Sequence, residues 1–108
     1  PGNPHILRPI AWCYFAMGEL EKADKYFAKV FEGKPGHYDY INYGHLQWAL
    51  GKKKDAVELY LQSLRELNFE LEDFLKTMED DRDILIKNGI NQKDIPLMLD
   101  YLHYRLMK

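Results

Sequence analysis

Two stretches of this chain, FAMGELEKADKYF (Phe15 to Phe27) and WALGKKKDAVELY (Trp48 to Tyr60), are versions of one pattern. Each runs aromatic, Ala, bulky apolar, Gly, a charged bridge, then Ala with an aromatic four residues later. The Gly18/Gly51 and Ala23/Ala56 pairs are both 33 residues apart, and Pro1-Gly2 and Pro35-Gly36 are 34 apart. A duplication of that period limits the possible folds sharply. Each copy is one supersecondary unit that cannot bury its apolar face alone, so neighbouring copies must stack.

Within each copy the apolar residues have helical spacing. Ala23, Tyr26, Phe27, Val30 and Phe31 fall at i, i+3, i+4, i+7 and i+8, and Ala56, Tyr60, Ser63, Leu64 and Leu67 form the matching stripe. The spacing predicts two helices per copy, the first spanning about His5 to Met17. Gly18 and Gly51 stand where a first helix ends and a left-handed residue is wanted. Pro35-Gly36 closes the second helix of the first copy. Small residues at Ala11, Gly44, Ala23 and Ala56 let helix backbones approach, with Tyr14, Phe27 and Tyr60 filling the space beside them.

A period of 33 or 34 suits ankyrin and tetratricopeptide repeats, and the residues separate them. The chain has no T-P-L-H-x-A. It does carry Leu7-x2-Ile10-Ala11-x2-Tyr14, Ala23-x3-Phe27 and Pro35, then Tyr40-x2-Tyr43-Gly44-x2-Gln47, Ala56-x3-Tyr60 and Asn68. Over roughly residues 4–70 it resembles the tetratricopeptide repeat (TPR) family. Leu7 and Tyr40 stand for its Trp, Gln47 for an aromatic and Asn68 for its Pro, all without disturbing the helix register. The resemblance implies an all-α fold: TPR-like helix-turn-helix repeats in a right-handed α-solenoid, at about 4–36 and 37–70. Residues 71–108 are expected to form a C-terminal helical cap, or a private docking element. The PGNP opening and missing initiator Met suggest a C-terminal piece of a longer array, with residues 1–3 the remnant of an upstream repeat. The first helix would then bare an apolar side, through which the chain would form a homodimer or lose stability.

In the tail, Leu71, Phe74, Leu75 and Met78 keep helical spacing, and a break is expected near Asp80. Asn88-Gly89 reads as a helix end. Asp94 is the expected N-cap of a last helix with Pro96 in its first turn, striped by Ile95, Met98, Leu99, Leu102 and Leu106.

Hydrophobic residues at 46% against 30% charged place the chain among globular proteins rather than disordered ones. A net charge of −2 provides no electrostatic basis for nucleic acid or an anionic membrane, and no apolar run is long enough to insert in one. A single cysteine, Cys13, forms no internal disulfide and is compatible with a cytoplasmic setting without establishing a compartment.

No catalytic, cofactor or metal site is expected. His5, His37, His45 and His103 lack ligand spacing, although His5 and His45 are expected to face one groove. Cys13 reads as a small buried apolar residue with no base beside it. Glu79-Asp80-Asp81-Arg82-Asp83 lacks the alternation of a calcium loop and reads as a solvated helix start. Lys52-Lys53-Lys54 reads as a solvated turn.

The resemblance implies that the first helix of each copy lines a concave groove. Its inward residues would be His5, Arg8, Trp12 and Phe15 in the first copy. In the second they would be Tyr38, Ile41, His45 and Trp48, with Asn42 beside them. Such an aromatic groove suits a peptide or protein partner with apolar side chains, with Arg8 adding charge selection. The function expected is a protein-interaction or scaffolding module. The alternative is a structural cap or self-association element, in which the C-terminal helices cover Trp12 and Trp48.

Overall fold

Residues 3–108 are described by a computed structural model; Pro1 and Gly2, which carry the expected upstream-repeat remnant, lie outside them. The described residues form seven helices and no strand. These are α1 (Pro4–Ala16), α2 (Leu20–Val30), α3 (His37–Ala49), α4 (Lys53–Arg65), α5 (Leu71–Asp80), α6 (Arg82–Lys87) and α7 (Asp94–Leu106).

The two copies are two helical hairpins built with the same chemistry. Asn3 sits in extended backbone and accepts a hydrogen bond from the His5 N–H at 2.9 Å, with Pro4 at the first helical position, where its missing N–H costs nothing. At the end of α1, Gly18 has φ +80°; its N–H donates to the Phe15 carbonyl and the Glu19 N–H to the Tyr14 carbonyl. Gly51, at φ +83°, repeats this: its N–H donates to Trp48 and that of Lys52 to Gln47. Both are Schellman turns, so the repeated glycine serves one backbone need twice.

The second copy ends differently. Asn68 adopts φ +52° where the first copy has Pro35. A proline ring holds φ near −65°, so proline could not occupy this position, whereas asparagine tolerates the left-handed region.

Packing follows the small-against-large pattern. Ala11, Phe15, Ala23, Phe27 and Leu46 form one fully enclosed cluster where α1, α2 and α3 meet. A second cluster joins Ile41, Ala56, Tyr60, Leu61 and Leu64 of α3 and α4 to Phe74 and Met78 of α5, Leu85 of α6, and Ile95, Met98 and Leu102 of α7. The tail helices therefore share the core of the second copy. At Gly44 a Cβ would lie 2.6 Å from a ring carbon of Tyr60, so the absence of a side chain there is what admits the phenol.

α5 ends at Asp80 and α6 starts at Arg82, with Asp81 alone between them. Asn88 and Gly89 end α6, with Gly89 at φ +96°. The expected N-cap of α7 is corrected: Asp94 is already helical and Lys93 holds the cap position, because Asn91 closes the preceding turn by accepting from the Lys93 N–H at 2.9 Å. Pro96 remains in the first turn.

Candidate functional site

The faces of α1 and α3 expected to line a groove are joined near their starts by an ion pair. The Arg8 Nε donates to Asp39 at 2.6 Å, and Asp39 also accepts from the Gly36 N–H at 2.8 Å. Asp39 thus restrains the α3 N-terminus and holds the Arg8 guanidinium. The bond to Asp39 is also what raises the Arg8 pKa above its ordinary value, against a smaller opposing effect of burial. Arg8 is consequently not the free cation that charge selection would need.

Toward the C-terminal ends of α1 and α3 the face is closed by the chain itself. The α5–α6 corner reaches α3 through Asp81, which accepts from His45 Nε2 at 2.9 Å. His45 Nδ1 and the Tyr60 hydroxyl are 2.7 Å apart. A carboxylate only accepts, so His45 Nε2 carries a proton toward Asp81, and in the neutral imidazole Nδ1 then accepts from the Tyr60 O–H. Burial, reinforced by the Asp81 charge, pushes the Tyr60 phenol well above its ordinary pKa and keeps it a donor. α6 then reaches α1: the Lys87 Nζ donates to the Ala16 carbonyl at 2.9 Å and the Asn88 side-chain amide to the Phe15 carbonyl at 3.2 Å. Both carbonyls belong to the last turn of α1, whose C=O groups have no helical partner.

Four of the nine expected groove residues are therefore buried. Phe15, Ile41 and His45 have no accessible surface and Trp48 retains 7%. Ile41 and Trp48 share a core cluster with Phe74, Met78 and Leu85, and the Phe15 and His45 rings lie with centres 6.5 Å apart and planes 26° apart. As open groove residues these four are corrected: α5 and α6 occupy the space on which they face. His5 is exposed and His45 fully enclosed, so they form no pair.

The other five remain at or near the surface. His5 is exposed, Arg8, Trp12 and Asn42 are half-buried, and Tyr38 is 53% exposed. Trp12 packs against Phe15 at 5.5 Å between ring centres. Tyr38 stands edge-on to Phe69 at 5.3 Å, and Phe69 stacks on His37 at 4.3 Å. The turn after α4 thereby supports the start of α3.

Two sequence expectations elsewhere are also corrected. Cys13 is exposed, because it lies on the side of α1 turned away from α2 and α3, in a shallow apolar cleft with Pro9, Ile10, Tyr14 and Met17. The acidic run is not a uniformly solvated helix start: Asp81 is withdrawn from it to bind His45. No local signal in EDDRD singles out Asp81, since its partner lies 36 residues away.

The described residues hold two tandem helical hairpins, α1–α2 and α3–α4, and no group of three or more His, Cys, Asp or Glu side chains among them is placed to hold a metal. The sequence model of the tetratricopeptide repeat matches residues 10–37 and 40–66, and the chain belongs to that family. Its repeats are non-catalytic and generally mediate protein–protein interaction. No curated protein and no solved structure matches the chain. No helix of the described residues is long and apolar enough to cross a membrane.

Proposed function

We propose that the protein is an interaction module whose contact surface is the open end of the α1–α3 face. His5, Trp12, Tyr38 and Asn42 line it, and the Arg8–Asp39 pair forms its floor. The observation that carries this reading is the division of one face into a part covered by α5–α6 and a part left open. The ligand is a peptide segment of a protein partner with apolar side chains, because the open part offers two large aromatics and the Arg8 charge is already paired with Asp39. Residues 71–108 act as the cap that shortens the groove.

The test is selection of a phage-displayed random-peptide library on the folded protein, followed by binding assays on Trp12→Ala and Tyr38→Ala variants. Peptides that lose binding to both variants, while circular dichroism shows helicity intact, support the reading. Enriched peptides indifferent to both substitutions refute it. Trp48 is unsuitable as a probe, since truncating a buried Trp costs about 3–5 kcal/mol and disturbs the fold itself. Acrylamide should accordingly quench the wild type more strongly than the Trp12→Ala variant, whose remaining tryptophan is the buried Trp48.

A second reading is favoured by the outer side of α1, where Ile6 and Met17 are each 61% exposed beside Cys13. In it the chain self-associates through that side as a structural element. Sedimentation should then show a dimer that Ile6→Glu and Met17→Glu abolish; a monomer at all concentrations removes this reading.

A further inference from the structure

A cleft of about 530 Å³ lies between α4 and α7. Val57 and Met98, both buried, form its floor, and Leu97 and Tyr101, 59% and 45% exposed, form its walls. Its size lies in the range of pockets that enclose a ligand of a few side chains. The apolar surface continues past the cleft, because Tyr104 on the same side of α7 is 55% exposed. α7 thus exposes Leu97, Tyr101 and Tyr104.

The unpaired charges that line the cleft are basic. Its single acidic lining residue, Glu58, is met by Arg105 at 3.3 Å. Arg105 also donates to the Tyr101 hydroxyl at 3.2 Å and stacks over the Tyr101 ring, which fixes that wall. At the other end Lys53 and Lys54 line the rim, both exposed, and neither makes an ion pair or side-chain hydrogen bond among the described residues. They occupy the first turn of α4, whose N-cap, Lys52, supplies no side-chain acceptor. Two unpaired lysines of the first turn of α4 therefore stand beside an apolar floor, an arrangement complementary to a carboxylate next to a large apolar side chain.

We propose that the α4–α7 cleft is a second docking site, for an acidic peptide segment of a protein partner. A large apolar side chain of that segment rests on Val57 and Met98 between Leu97 and Tyr101. An adjacent Asp or Glu carboxylate meets Lys53 and Lys54. This site shares no residue with the open α1–α3 face and does not depend on it.

The experiment is the same random-peptide selection, with the enriched peptides synthesised with a fluorescein label and measured by anisotropy. The variants are Lys53→Glu/Lys54→Glu, Leu97→Ser and, as a control for the other face, Trp12→Ala. The expected result is a class of peptides with a large apolar residue beside Asp or Glu. These weaken about tenfold or more on Lys53→Glu/Lys54→Glu, weaken as salt is raised, and bind Trp12→Ala unchanged. Both lysines are exposed in a first turn, so the charge reversal leaves folding intact, as circular dichroism would verify. Absence of such a class, or acidic peptides that bind the charge-reversed variant undiminished, overturns the proposal. So does a cleft occupied by a second copy, seen as Leu97-dependent dimerisation without peptide binding. Binding to phosphatidylserine vesicles in place of any peptide overturns it as well. Loss of binding on Trp12→Ala alone would remove this site while leaving the α1–α3 reading in place.

Discussion

The Tyr60 hydroxyl donates to His45 Nδ1 at 2.7 Å, and through that imidazole α4 is coupled to the α5–α6 corner, because His45 Nε2 donates to Asp81 at 2.9 Å. His45 is fully buried, so both ring nitrogens depend on these two partners. Tyr60→Phe would leave Nδ1 unsatisfied and is expected to cost about 1–3 kcal/mol in urea unfolding. Asp81→Ala should cost a similar amount and raise amide exchange in α5 and α6 first. Asp81→Asn, which keeps an acceptor oxygen, should cost less. Equal exchange in wild type and Asp81→Ala would show that the corner is held by packing alone.

Gly44 lies in the middle of α3, where alanine is ordinarily better by up to about 1 kcal/mol. Here the added methyl would sit 2.6 Å from the Tyr60 ring, which is hemmed in by Trp48 and Phe74. Gly44→Ala is therefore expected to destabilise by about 1–3 kcal/mol, the cost of overpacking. A thermal melt is sufficient: a raised midpoint would mean that the ring moves aside freely.

Restoring the family's proline at position 68 should harm the protein. Asn68→Pro demands a φ that the turn does not have, and is expected to lose more than about 1 kcal/mol of stability. Asn68→Gly, free to adopt φ +52°, should be close to neutral. Gly51→Ala is a comparison at a similar backbone angle with nothing near the added carbon, and isolates the left-handed penalty of about 1–2 kcal/mol. Chemical denaturation of the three variants would rank them; a stable Asn68→Pro would contradict the backbone account.

Tyr43 donates to Asp24 at 2.9 Å, and its pKa is pushed up to about 12, first by burial and then by the Asp24 bond and the Asp24 and Asp55 charges. The folded state thus favours the protonated phenol. The stability this supplies is complete below the unfolded value of 10.0 and is lost as pH rises through about 12. Unfolding free energy should fall across that window, and Tyr43→Phe should flatten the fall. Tyr60, raised in the same direction, should preserve part of it. An unaltered slope in Tyr43→Phe would remove Tyr43 as its source.

Much of the repeat architecture was legible because it rests on local rules. The two Gly turns, the buried Ala23 and Ala56 and the helical stripes follow from short-range geometry that recurs at the repeat period. Most of the apolar stripe of α7 was legible too, with Ile95, Met98 and Leu102 all buried. The candidate groove was legible only in part. Helical spacing placed His5, Arg8, Trp12 and Phe15 on one face of α1, yet spacing names a face and not its neighbour. The same holds for Cys13, which is apolar enough to be buried but points where no helix packs.

The sequence by itself determined the hairpins: where each begins, which glycine ends its first helix and which residues pack within it. Each of those choices involves groups a few residues apart. Tertiary structure alone decided that α5 and α6 turn back over the ends of α1 and α3. That arrangement buries Phe15, Ile41, His45 and Trp48, draws Asp81 out of an acidic run, and leaves an apolar cleft beside two unpaired lysines. Those outcomes depend on contacts between segments some 30 to 70 residues apart, such as Asp81 with His45 and Lys87 with Ala16, which local periodicity does not encode.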